Sequence, residues 1–222
     1  ENVKILLGLA ITFCVWNIVP KEAGAAIPTT LITLVVAVAG EMTVGLLIGL
    51  MVGAVFGGIQ LGAELLSQQM GLSLATLYDP GFEDQSTVIE QIAFWLALVV
   101  FLAMGGQREV IQAVLYSYKT VPMGAGGVSP ATLVGAACGA MDASFHAALR
   151  IAMPALVAFI VATLAGGLMS RSMPQMNLMV LGVSINILVG IVMIMVGLTG
   201  WVLVAHASFD QLFDSFWRAF GT

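Results

Sequence analysis

Three runs of apolar residues in this chain are longer than a single membrane crossing needs: Leu31 to Gln69, Pro130 to about Ser170, and Gln175 to about Ala205. A helix rises about 1.5 Å per residue, so the first run alone would reach roughly 58 Å, about twice the hydrocarbon thickness. It is either a hairpin bent near Gly40-Glu41 or one long helix in a protein assembly that does not follow the bilayer. A shorter run, about Val3 to Val19, precedes Pro20 and is just long enough to cross. Charged residues make up only 9% of the chain, against roughly 25% in soluble domains, and hydrophobic ones 60%. The chain therefore reads as an all-α integral membrane protein, built as one helical unit. Its net charge of −5 is scattered, with no basic run for nucleic acid or an anionic leaflet.

The stretch from Glu64 to Gly81 joins two apolar segments but cannot continue either as a plain lipid-facing helix. Ser67, Gln68 and Gln69 place three polar side chains in a row, Gly71 marks a helix end, and Asp79-Pro80-Gly81 is turn chemistry. Yet Met70, Leu72, Leu74, Leu77 and Tyr78 are too apolar for an ordinary solvated loop. An irregular apolar segment at membrane depth persists only when buried in protein or lining a cavity. The residues alone leave two readings, a packed connection or a plug across a passage.

Other local signals set helix limits. Thr87 to Glu90 reads as a capping box for a helix that runs to about Met104 and stops at Gly105-Gly106. A shorter helix, about Arg108 to Thr120, follows. Pro154 should kink the second long run. Gly45, Gly49, Gly53 and Gly57 recur every four residues, followed by Gly58 and Gly62. Strides of four keep small residues on one helix face, so this ladder predicts tight helix packing. In the tail, Phe209, Leu212, Phe213, Phe216, Trp217 and Phe220 share one stripe, with Asp210, Asp214 and Arg218 on another. That pattern predicts an amphipathic helix, which could lie on a membrane surface but, being slightly acidic where surface binders are usually basic, is better suited to packing against a partner protein.

Glu41, Glu64, Asp142, His146 and Arg150 lie inside apolar segments, where charge is expensive, and each is a functional candidate. The last three share one helix face at i, i+4 and i+8. They form either a proton path, as in an ion- or proton-coupled transporter, or a self-neutralising row facing a helix interface or water. One His and one Asp are too few to hold a metal. Cys14 and Cys138 read as small buried apolar groups rather than a disulfide. No serine here sits in a nucleophile turn with an oriented histidine, and no glycine loop is built to cradle phosphate. Neither an enzyme nor a cofactor is expected.

The order of these features resembles a family. Gly58-x-Gln60-Leu61-x-x-Glu64-Leu65, continued by Gln69-Met70-Gly71-Leu72-Ser73-x-Ala75-Thr76-Leu77-Tyr78-Asp79-Pro80, is similar to the signature of the FliR family of flagellar type III export-gate proteins. Phe101-Leu102-Ala103-Met104-Gly105-Gly106 resembles the family's Phe-Leu-x-x-Asn-Gly turn, with Gly105 where Asn is common. Ser117 to Gly124 resembles its Ser-Phe-x-x-x-Pro-x-Gly, and Met173-Pro174-Gln175-Met176-Asn177 its Ala-Pro-Gln-Leu-Asn corner. Three departures stand beside these matches. Leu74 and Leu77 replace frequent aromatics, Ser184 and Asn186 stand where Pro and Lys are common, and the family carries a further hydrophobic segment upstream of the point that Glu1 matches.

The resemblance implies kinked hydrophobic helices and hairpins with a re-entrant plug, in a helical hetero-oligomer with P-type and Q-type export-gate subunits and the export switch protein. Residues 1–124 would form a P-type-like part with a plug loop at 69–86, and 125–222 a Q-type-like part ending in the amphipathic helix. Met70, Gly71, Leu72, Ser73, Leu74, Ala75, Thr76, Leu77, Tyr78, Asp79, Pro80 and Gly81 would be plug positions, occluding the pore until unfolded export substrates pass. The place implied is the bacterial inner membrane at the flagellar basal body, with an injectisome homologue as the near alternative. The proton-path alternative makes its own prediction: Asp142→Asn shifts the pH profile of transport. An unaltered profile would end that reading.

Overall fold

A backbone surrounded by apolar side chains has to satisfy its own N–H and C=O groups, and a helix does this within one segment. In the computed structural model, residues 5–6, 8–10, 12–13, 30–72, 87–120, 130–170 and 178–220 are described. They contain no strand, and from residue 31 onward they form five helices: α1 (Leu31–Gln69), α2 (Val88–Ala103), α3 (Gly106–Thr120), α4 (Pro130–Ser170) and α5 (Leu178–Phe220). Three are long and apolar enough to cross a membrane, and the α2–α3 pair, bent by 67°, would make a fourth span.

The first long run is one helix of 39 residues, not a hairpin. Nothing at Gly40-Glu41 forces a break, because a single glycine costs only about 1 kcal/mol in a helix. α4 also continues through Pro154, whose flanking Ala152 and Ala155 are buried. The bend between α2 and α3 falls at Gly105-Gly106, as the sequence predicts. Gly105 has φ +75°, a left-handed conformation that Gly and Asn tolerate and most side chains do not. At Gly106 a Cβ would collide with the Phe101 ring.

α1 is the axis of the packing. α4 runs parallel to it, with Gly58 against the Ser144 backbone and Gly62 against Ala148 and Ile151. α5 runs antiparallel, with Gly190 beside Met70 and Phe209 beside Phe56 at a ring separation of 5.2 Å. α2 folds back along α1, so that Phe56 also meets Phe94 and Phe101 at 5.7 and 5.6 Å. The tail is not a separate element: α5 runs unbroken for 43 residues and carries the aromatic stripe with it. Phe209, Leu212 and Phe216 are buried among this chain's own helices, and Trp217 stacks edge-on with Tyr116 of α3 at 5.4 Å. The partner expected for that stripe is therefore largely internal. Cys138 is exposed on α4 rather than buried, and Cys14 lies outside the described residues.

The glycine ladder divides. Gly58 and Gly62 touch α4, whereas a Cβ at Gly45, Gly49, Gly53 or Gly57 would meet no atom within 4 Å. In the isolated chain, Gly58→Ala is expected to cost about 1–3 kcal/mol by overpacking, and Gly49→Ala to be neutral or slightly stabilising. Thermal unfolding of the two variants in one detergent checks the contrast. Equal midpoints would contradict the packing.

Candidate functional site

The site is the neck where the chain leaves α1 and enters α2. α1 ends by a glycine stop: Gly71 has φ +77°, its N–H donates to the Gln68 carbonyl at 3.0 Å, and the Leu72 N–H donates to the Ser67 carbonyl at 3.1 Å. This 6→1 and 5→2 pair is the Schellman arrangement, and it satisfies two carbonyls that the helix would otherwise leave open. Turning left at Gly71 lets Leu72 fold back against the core. Met70, 2% exposed, points into a notch on α5 that exists because residue 190 is glycine, and a Cβ there would collide with the Met70 thioether. One turn away on α5, the Asn186 side-chain amide donates to the Gln69 carbonyl at 3.2 Å.

The other side of the neck is the start of α2. Thr87 is its N-cap, accepting from the Glu90 N–H at 3.4 Å and donating its hydroxyl to the Glu90 carboxylate at 2.6 Å. The Thr87 hydroxyl also lies 2.7 Å from that of Ser67, which is fully buried on α1. Each hydroxyl has one proton. With the Thr87 proton on Glu90, Ser67 shares its own between Thr87 and the Ala63 carbonyl 3.1 Å away. A polar crosslink thus closes the neck inside an apolar fold.

Of the plug positions expected from sequence, Met70, Gly71 and Leu72 belong to this neck, and Ser73 to Gly81 lie outside the described residues. The charged candidates do not converge on it, apart from Glu64, which accepts from the Gln68 side chain at 3.0 Å on the last turns of α1. Glu41 sits half-buried near the other end of α1, within electrostatic reach of Tyr118 on α3. Asp142 and His146 face each other at 3.6 Å on an exposed face of α4, and Arg150 is exposed one turn on. No group of three or more metal-ligating side chains occurs among the described residues. Sequence reasoning passed over Thr87 as a partner of Ser67, and Gly190 as the notch for Met70. The one available signal was Asn186, the single side-chain amide between Leu178 and Ala205.

Comparison with known proteins gives one answer. The profile of "Bacterial export proteins, family 1" matches residues 1–212. Three relatives, each called flagellar biosynthetic protein FliR, are similar over most of this chain. That of Pectobacterium carotovorum is 29% identical over 215 residues, 96% of this chain and 80% of the relative. That of Escherichia coli is 28% identical over 191 residues, 86% and 72% of the two chains. That of Caulobacter vibrioides is 27% identical over 215 residues, 97% and 85% of the two. A profile match that covers nearly the whole chain shows the family, and its apolar helices of spanning length agree with it: the chain belongs to the bacterial export proteins, family 1.

Proposed function

We propose that this integral membrane export component is a subunit of the flagellar type III export gate in the bacterial inner membrane, at the basal body. On this reading it completes the secretion pore with P-type and Q-type subunits and the export switch protein. Residues Met70 to Gly81 occlude that pore until an unfolded substrate passes. Family membership and the FliR relatives support the export role. The observation that carries the plug reading is the neck itself. Two apolar helices are bonded together at one point, Ser67 to Thr87, and the chain between them leaves and returns there.

The chemistry of such a plug is exclusion rather than catalysis. Leu72, Leu74 and Leu77 offer water and ions no partners and Tyr78 only its phenol hydroxyl, while glycines at 71 and 81 permit the backbone conformations that turns require at each end. Opening needs two packings of one segment, close in free energy and biased by the substrate. The open positions Gly45, Gly49, Gly53 and Gly57 leave room for neighbouring helices at close approach. Under this proposal the chain co-purifies with unlike membrane proteins. Deleting Leu74 to Tyr78 leaves that complex assembled but makes the membrane leak ions. An intact seal in the deletion would refute the plug.

A further inference from the structure

We infer that Ser67, Met70, Thr87 and Gly190 are positioning residues that form a collar around the neck, and that this collar stays closed while a substrate passes. Its role in export rests on the function proposed above, but its existence rests only on the contacts. Three independent features hold it. Ser67 is fully buried and bonded to Thr87 at 2.7 Å, so parting them costs the buried Ser67 its cross-helix partner and leaves it the Ala63 carbonyl alone. Met70 fills the notch at Gly190, which ties the end of α1 to α5 rather than to α2 alone. Asn186 fixes the Gln69 carbonyl of the same turn at 3.2 Å. Among the described residues, no buried side-chain N or O lacks a partner, so no unmet side-chain hydrogen bond favours opening here. Met70, at the root of the proposed plug, accordingly keeps its notch on α5 whether the pore is shut or open.

Cross-linking tests this directly. In a background with Cys14→Ala and Cys138→Ala, the pair Ser67→Cys and Thr87→Cys places two thiols where oxygens lie 2.7 Å apart, within reach of a disulfide. The expected result is a high yield of the cross-link in resting membranes, and an export rate that is the same oxidised as reduced. A cross-link that stops export and is reversed by a reductant would overturn the proposal, because the neck would then have to open. Failure to cross-link in assembled complexes would overturn it as well.

A second measurement does not depend on that pair. With Met70→Cys in the same background, labelling by a maleimide is slow in the closed notch. Adding Gly190→Leu expels the side chain and raises the labelling rate roughly tenfold or more. Gly182→Leu on the same helix, where a Cβ meets nothing within 4 Å, leaves the rate unchanged. Equal rates for the two leucine variants would show that Gly190 is no notch. A leak-tight Leu74–Tyr78 deletion removes the plug reading while leaving the cross-linking yield as it was, so the two failures are distinct.

Discussion

In this chain hydrophobicity cannot say what is inside. Leucine, isoleucine, valine and methionine cover the outside of the helices, with Leu46, Leu168, Met195 and Val196 more than two-thirds exposed. The interior is instead rich in small residues. Ala63, Ala93, Ala97, Ala152 and Ala205 are fully buried, and Gly58 and Gly62 admit the α4 backbone. Lipid tails are as apolar as leucine, so helix association in a membrane depends on how closely backbones approach. The close parallel contact of α1 with α4 is the consequence, and the antiparallel α5 and α2 close around it with Phe56 at the junction.

Polar groups do the work of specifying register that hydrophobic contrast does in a soluble protein. Several hydroxyls within the helices turn back onto their own backbone: Thr43 onto Gly40, Ser117 onto Val114, Ser215 onto Leu212. Ser67 to Thr87 and Asn186 to Gln69 are polar contacts that cross from one element to another, and both lie at the end of α1. A slide of α2 or α5 along α1 by even one turn would break these contacts, and Ser67 and Thr87 would keep only the partners on their own helices. The neck is thus the point at which three helices are fixed in relative height, whatever the segment beyond it does.

Much of this was legible in the residues, because helix stops are local chemistry. Gly71, Gly105-Gly106 and Thr87 each announce an end through backbone requirements that do not depend on tertiary context, and the structure turns at each of them. The FliR-like block at the neck was legible too. What the sequence could not show was which face of an apolar helix meets a neighbour. A stride of four residues drifts by about 40° per step, so Gly45 and Gly57 already differ by roughly 120° around the axis. A four-residue stride suggests one face, yet of these glycines the pair at 58 and 62 touches α4. The same limit holds for the tail stripe. Its period was right, but the helices that bury it, α1, α2 and α3, lie about 100 residues or more away in sequence, beyond any local signal.

The heights of the helices bear on how the chain sits in a membrane. Each long helix has a charge-free stretch close to or longer than a bilayer thickness: Met42 to Ala63 in α1, Ile151 to Ser170 in α4, Leu178 to Ala205 in α5. They are not side by side. Gly58 lies beside Ser144 and Gly62 beside Ala148, so the α1 stretch is level with the part of α4 that carries Asp142 and His146. The charge-free part of α4 begins where that of α1 ends, and with Gly190 beside Met70 most of the α5 stretch runs with the α4 one. Both levels present large exposed apolar side chains, Met42 and Leu46 at one, Leu164 and Leu168 at the other. A bilayer core is about 30 Å deep and covers one such level. The other level would leave greasy surface in water unless protein covers it. That is a physical reason for the unlike subunits of the proposed gate, and the exposed Asp142–His146 and His206–Asp210 pairs belong on the level where lipid does not reach.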